Sequence, residues 1–188
     1  MSRPISGDGR VRTDRAAAQT LRRLEARAEI LDLKARYAAH ADAKYIPSHQ
    51  RASSEVIERA ARGQADCFTR DALWHASPEF GGDLSGREAL FGFFCRAPWR
   101  FAMHFYVAPE LTIDDQHAVG RWRLLQIAIA DDRPAPMILG GVTVEEYRRE
   151  DGRWLVSRMS FEQLHALSLG LAAPELRCLI PAAFGNPA

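Results

Sequence analysis

Residues 21–45 read LRRLEARAEILDLKARYAAHADAKY, and this stretch decides the fold of the chain. Its apolar residues recur at alternating spacings of three and four, which predicts a helix with one buried face. They are Leu21, Leu24, Ala28, Leu31, Ala35 and Ala38. The next position in the same register is Asp42, and burial of an unpaired carboxylate is costly. Asp42 therefore either has a partner and a chemical role, or ends the helix with its carboxylate in water.

Composition limits the class of protein. With 188 residues, 47% of them hydrophobic, the chain suits one domain with a single core. A formal charge of +1 gives no strong field to attract nucleic acid or an anionic membrane. No segment approaches the roughly 20 apolar residues of a membrane span. Cys67, Cys95 and Cys178 form no CxxC pair, so we expect a protein of the reducing cytoplasm. The low charge and the lack of a membrane span predict no nucleic-acid or membrane partners.

The N-terminal half predicts helices. Residues 1–12 have little to bury and predict a disordered leader, followed by one domain over residues 13–188. The first helix should begin at Thr13 or Asp14, and a second should run from Ser53 or Ser54 to about Phe68. A third is predicted over residues 89–95, after the capping-box spacing of Ser85 and Glu88.

The second half predicts strands. A short strand over residues 72–76 precedes four long segments, over residues 101–113, 118–130, 137–150 and 153–161. Turn signals separate the long segments, at residues 114–115, 131–134 and 151–152. Helices followed by an antiparallel meander predict an α+β domain. Residues 101–108 are apolar on both faces, which favours a strongly curved sheet, and the tail of about residues 167–188 could cap its open end.

One of the six histidines differs from the others. His104 lies in mid-strand among apolar residues. No histidine pair has HExxH spacing, and the sequence contains no glycine-rich phosphate loop. No metal or other cofactor is therefore expected. His104 is either a core histidine bonded to a backbone carbonyl or a base oriented by Asp42. Tyr37 is either a hydrogen-bond donor in the same site or a tyrosine that packs at the sheet edge.

Several segments together resemble one family. Residues 30–42, 68–74, 86–94 and 103–105, with the later segments 138–147 and 151–154, resemble the SnoaL-like group of the nuclear transport factor 2-like superfamily. The likeness spans roughly residues 21–168 and is nearest to the hexachlorocyclohexane dehydrochlorinase, bile-acid dehydratase and scytalone dehydratase branch. It implies a cone-shaped, curved antiparallel sheet wrapped around N-terminal helices, with an apolar pocket inside.

The resemblance also implies a site. The family's catalytic aspartate falls on Asp42 and its strand histidine on His104, while Tyr37 falls where the bile-acid enzyme has a tyrosine. Substrate contacts are expected from Tyr45, Trp74, Phe94, Tyr106 and Met159. Met159 stands where the dehydrochlorinase can place an arginine, and about residues 43–66 form an inserted helical segment. Both departures suggest a differently shaped substrate.

The resulting hypothesis is a cofactor-independent lyase. An Asp42–His104 dyad would eliminate water, a hydrogen halide or formaldehyde from a small hydrophobic aromatic or alicyclic substrate. An isomerase of the ketosteroid isomerase type, or a non-catalytic small-molecule-binding or assembly module, remains the alternative. Apolar residues on the meander predict a homodimer or homotrimer; the candidates for its exposed face are Trp122, Leu124, Leu139 and Leu155.

Overall fold

The computed structural model describes residues 8–133 and 135–170, which form three helices and eight strands. The helices are α1 (Asp8–Asp42), α2 (Ser54–Ala65) and α3 (Arg87–Cys95). The short strands are β1 (Tyr45–Ile46), β2 (Gln50–Arg51) and β4 (Leu84–Ser85). The longer ones are β3 (Phe68–His75), β5 (Phe101–Ile113), β6 (His117–Ile129), β7 (Met137–Glu150) and β8 (Arg153–Ser168).

Six of these strands form the main sheet, in the order β4-β3-β8-β7-β6-β5, and β1 and β2 pair separately. Every neighbouring pair is antiparallel except β3 and β8, which are parallel. The sheet curves around α1, which packs against β5 and β8, and α2 and α3 pack on each other beside it. The α+β cone expected from the sequence is confirmed.

The buried face of α1 is not the expected one. The side chains that enter the core follow a different register; they are Ala26, Ile30, Leu33, Tyr37 and Ala41. Leu21 and Leu24 are 57% and 59% exposed, and Ala28 and Ala35 are also exposed. The prediction of the buried stripe was therefore wrong. The prediction counted Leu21 and Leu24 as core residues, but both lie before the part of the helix that packs against the sheet.

A charged cluster lies in the core under this helix. Lys34 Nζ donates to Glu145 Oε1 at 2.5 Å, and their side chains are 2% and 0% exposed. Thr143 and Tyr147 donate to the two carboxylate oxygens, and Trp122 Nε1 donates to the Tyr147 hydroxyl at 2.8 Å. Because all these donors and acceptors are paired, the fold can bury the ions. Burial lowers the pKa of Lys34, and Glu145 offsets part of that shift.

The helices differ from the predicted ones in their bounds. The first begins at Asp8 instead of Thr13, so residues 8–12 are helical, while residues 1–7 lie outside the described part of the chain. The second follows Ser53, as expected, although that side chain makes no capping bond. The capping box ahead of α3 was wrong, because Ser85 belongs to β4 and Gly86, at φ 89°, is the N-cap.

The strands largely follow the predicted segments. β5 and β7 have the expected bounds, but β3 begins at Phe68 and β8 continues to Ser168. Asp151 and Gly152 make the predicted tight turn, both with positive φ, between the paired residues Glu150 and Arg153. Pro134 in the preceding turn, residues 171–188 of the proposed tail, and Cys178 lie outside the described residues.

The outer face of the sheet also corrects the expectation. Trp122, Leu124, Leu139 and Leu155 are each at most 5% exposed, so none of them can form an exposed patch. The exposed large apolar residues of the meander, within the described part of the chain, are Met103, Phe105, Val107, Val119, Leu125 and Leu167. No helix in residues 8–133 and 135–170 is long and apolar enough to cross a membrane.

Candidate active site

The end of α1 and the middle of β5 meet in one polar contact. Asp42 is the last residue of the helix, and its Oδ1 lies 2.7 Å from His104 Nδ1. The backbone N–H of His104 donates to the same oxygen at 3.0 Å. The contact expected from the sequence is therefore present. Asp42 is not deeply buried, however: its side chain is 31% exposed, against 15% for His104.

This geometry determines the tautomer of a neutral His104. A carboxylate can only accept, so the proton of the imidazole must lie on Nδ1, which leaves Nε2 as a free acceptor. The second bond, from the backbone, fixes the position of the carboxylate relative to the ring. Asp42 thus orients His104 and can stabilise the imidazolium that forms when Nε2 takes a proton.

His104 lines a cavity between the helices and the concave side of the sheet. The cavity has a volume of about 60 Å³, enough for a few water molecules, and aromatic rings form most of its wall. Five residues expected at the site line it together with His104: Tyr37, Tyr45, Trp74, Phe94 and Tyr106. A ring-containing substrate can enter only if some of these side chains shift.

Met159 does not reach this cavity. It is 0% exposed and packs in the main core cluster, next to the strand pair of β3 and β8. The proposed substrate contact of Met159 was therefore wrong, because β8 turns this side chain into the core. Phe161, two residues further along the same strand, lines the cavity instead.

Tyr37 lies between the core and the cavity. Its ring packs edge-on against Phe68, Phe94 and Tyr106, at centroid distances of 5.8–6.3 Å. Burial raises the pKa of Tyr37, although hydrogen bonding to Gln64 and Tyr106 opposes this. Tyr37 therefore stays protonated at neutral pH and is available as a donor.

Three polar residues of the cavity wall were missed in the sequence: Lys44, Gln64 and Gln126. Lys44 lies just after α1, where the chain has no periodicity that would show which side chains point inward, and Gln64 is a polar residue near the end of α2 whose buried neighbours are alanines. Gln126 could have been found, because it lies at the inward positions of β6, opposite His104. It was missed because it is a polar residue among apolar ones on the same face of that strand.

No three potential metal ligands among His, Cys, Asp and Glu come together in the parts of the chain that the structure describes. The side chains at the cavity wall include an oriented imidazole, a phenol, an ammonium group and two amides.

The fold and this contact define a class: an α+β cone in which a carboxylate at the end of the long helix meets a strand histidine inside the sheet. The model of the SnoaL-like domain matches residues 57–160, more than half of the chain. The protein belongs to the SnoaL-like family. The match begins within α2 and includes residues 57–65 of that helix. A search of curated proteins gave no match.

Solved structures show the same fold. A type 2 hexachlorocyclohexane dehydrochlorinase (LinA) superposes with a TM-score of 0.65 at 19% identity, over 81% of this chain and 95% of that one. The type 3 LinA of Novosphingobium barchaimii LL02 gives 0.63 at 21% identity, over 81% and 97%. A proposed scytalone dehydratase of Novosphingobium aromaticivorans DSM 12444 gives 0.62 at 18%, over 85% and 99%. At these identities the likeness establishes the fold.

Proposed function

We propose that the protein is a cofactor-independent lyase that eliminates a small molecule from an apolar aromatic or alicyclic substrate. His104 Nε2 acts as the base, Asp42 stabilises the resulting imidazolium, and Tyr37 donates a hydrogen bond to the leaving group. The observation that carries this proposal is the 2.7 Å contact between Asp42 Oδ1 and His104 Nδ1 at the wall of an aromatic cavity.

The chemistry needs no further reactant. Nε2 takes a proton from the carbon adjacent to the one that bears the leaving group, and the electron pair of that C–H bond becomes the second bond of the alkene. The leaving group departs with its own pair. If it is hydroxide, it takes up a proton and leaves as water, which restores the neutral imidazole. If His104 instead takes the hydroxyl proton of a hydroxymethyl group, the O–H electron pair forms the C=O bond of formaldehyde and the C–C bond breaks. The electron pair of that C–C bond becomes the second bond of the alkene as the leaving group departs from the adjacent carbon.

The structural neighbours support elimination as the reaction class. One is described as a dehydrochlorinase and another as a proposed dehydratase, and both reactions remove a proton and a leaving group from adjacent atoms. The methionine at position 159, where the dehydrochlorinase of the family can place an arginine, supports a leaving group other than halide, because a thioether has no charge that could assist its departure.

The small cavity favours a second candidate, a non-catalytic assembly module. About 60 Å³ is far below the 300–1,000 Å³ of typical ligand pockets, so the interior is largely filled by its own side chains. In this alternative, the Asp42–His104 contact only ties α1 to the edge strand β5.

A product screen tests the proposal. Purified protein is incubated with ring compounds that carry a β-hydroxyl, a β-halide or a hydroxymethyl group, and products are analysed by mass. We expect loss of water, hydrogen halide or formaldehyde with the unmodified protein and with Arg59→Met, a change at an exposed position of α2, but not with His104→Gln. A product of unchanged mass would show an isomerase instead. Binding without turnover would show the module.

We also propose that the protein works in the cytoplasm. Cys67 is buried and Cys95 is half-buried, and both are free thiols. Free thiols are typical of a reducing compartment. Cell fractionation with an antibody to the protein checks this, and recovery outside the cytoplasmic fraction would contradict it.

A further inference from the structure

The chain has two lysines against 23 arginines, and both lysines are buried. Lys34 is 2% exposed and Lys44 4% exposed. The first has Glu145 as its ionic partner. For Lys44, the residues that the structure describes provide no carboxylate within ion-pair distance. A buried cation without a counter-charge is costly, and this one lines the cavity beside His104.

The contacts of Lys44 are all neutral. Its Nζ donates to Gln64 Oε1 at 2.9 Å and to the backbone carbonyl of Phe94 at 3.4 Å. It also lies 5.4 Å from the centroid of the Phe94 ring. An ammonium group has three protons, so these two acceptors leave one for a further partner. Gln64 and Phe94 thereby hold the cation in place at the wall of the cavity.

A second polar group of the cavity lacks a partner. Gln126 is 4% exposed, and its Nε2 makes no hydrogen bond to any group in the described residues. Gln126 pairs with His104 across β5 and β6, so the amide and the imidazole are neighbours on the concave face of the sheet. Buried donors are nearly always paired, so this amide is available to an acceptor that enters the cavity.

We propose that Lys44 and Gln126 bind an anionic oxygen of the substrate, so that the substrate is a ring compound with a carboxylate or phenolate group. The inference rests on the function proposed above only in taking this cavity as the substrate site. Both groups are donors, one carries the charge that an anion needs, and the remaining wall is largely aromatic. The anion thus fixes the polar end of the substrate, and the ring lies against side chains such as Trp74 and Phe161.

The ionisation of Lys44 makes binding pH-dependent. Burial lowers the pKa of Lys44 to about 8, and Cys95 and Asp42 offset part of this. The other ionisable groups at the cavity are His104, Tyr37, Tyr45 and Tyr106, and burial raises the pKa of each of these tyrosines. The ammonium form, which attracts the anion, is therefore present below pH 8 and is lost as the pH rises through about 8.

The test measures binding separately from turnover. Calorimetric titration uses benzoate and 4-nitrophenolate as anionic probes and benzyl alcohol as the neutral one, on the His104→Gln background. We expect Lys44→Met to weaken the binding of an anionic probe about 10- to 100-fold and Gln126→Leu about 2- to 10-fold, with benzyl alcohol unaffected. Arg59→Met, which removes an exposed cation of α2, is the matched control and should change nothing. Preference for benzoate or 4-nitrophenolate distinguishes carboxylate from phenolate.

A pH series on the unmodified protein covers the case in which Lys44→Met does not fold. Benzoate stays ionised throughout, so its affinity should fall as the pH rises through about 8, while that of benzyl alcohol stays constant. Equal affinity of folded Lys44→Met and its parent for both anions, or no binding of either anion, overturns the proposal. The proposal is also overturned if borohydride traps an imine formed between Lys44 and benzaldehyde while neither anion binds, because Lys44 would then act as a nucleophile. Anion binding without turnover would leave it intact and would contradict only the lyase function.

Discussion

At the scale of single residues, Asp42 shows how a correct contact can follow from an incorrect premise. The sequence suggested that its carboxylate continues a buried stripe, but its side chain is 31% exposed and the stripe lies elsewhere on α1. The contact formed because two N–H groups of His104 converge on one oxygen. The end of a helix and an isolated strand histidine were enough to predict the pair.

Lys44 could not be predicted in the same way. The position of Lys44 depends on Gln64 and Phe94, which are 20 and 50 residues away in sequence. Such a convergence depends on how α1, α2 and α3 pack, and no local pattern in the chain encodes that packing.

The dyad predicts the effect of two substitutions. His104→Ala removes the base, and we expect turnover to fall by a factor of about 100 to 10,000 with little change in fold. Asp42→Asn keeps the shape but loses the charge that stabilises the imidazolium, so it should also be severely impaired. Steady-state kinetics on a substrate from the screen, with circular dichroism for the fold, measures both. Full activity in His104→Ala would remove the mechanism.

Tyr37→Phe separates chemistry from packing. The change keeps the ring contacts with Phe68, Phe94 and Tyr106 but removes the hydroxyl. We expect a loss of kcat with a nearly unchanged melting temperature, because the donor acts on the leaving group. Unchanged kcat would return Tyr37 to a purely structural role.

At the scale of elements, α1 shows why its buried face was misread. The face that enters the core contains Lys34, which looks like a surface residue, whereas Leu21 and Leu24 look like core residues and are exposed. A single lysine hid the register of the buried face of α1. The partner that allows Lys34 to be buried, Glu145, lies on β7 and cannot be identified from the sequence of the helix. The inserted helical segment also contributes to the main core, because Ala61 and Ala65 of α2 are fully buried there.

The ion pair between α1 and β7 predicts an asymmetric effect on stability. Lys34→Met leaves Glu145 charged and buried, and we expect it to lower the free energy of unfolding by about 3–5 kcal/mol. The double change Lys34→Met with Glu145→Gln should cost less than Lys34→Met alone, because it removes the isolated charge. Urea denaturation compares the three proteins. A double variant less stable than Lys34→Met would contradict this account.

At the scale of the whole molecule, the cone was predictable because several independent segments agreed. Strand lengths, turns and the order of helices before the meander all pointed to a curved sheet, and β5 and β7 have the expected bounds. The parallel pairing of β3 with β8 was not predicted. These strands are far apart in sequence, and neither contains a signal that identifies its neighbour.

The outer face of the sheet leads us to propose a homodimer or homotrimer. Met103, Phe105, Val107 and Leu125 are 36–52% exposed on the neighbouring strands β5 and β6, and burial of such an apolar patch favours association. Light scattering at micromolar concentration should give two or three chain masses. The double change Phe105→Lys with Val107→Lys should give one, whereas Arg59→Met should not. A single chain mass for the unmodified protein would contradict the proposal.

The long helix has uneven support along its length. Residues 15–25 are all exposed, whereas buried positions recur from Ala26 onward. With 35 residues, α1 is about 52 Å long, and its first half extends beyond the sheet. An unsupported helical segment opens far more often than one locked by a core. Amide deuterium uptake should therefore form a steep gradient along one continuous helix, rapid before Ala26 and slow by Tyr37, so that the end that carries Asp42 stays rigid while the other end frays.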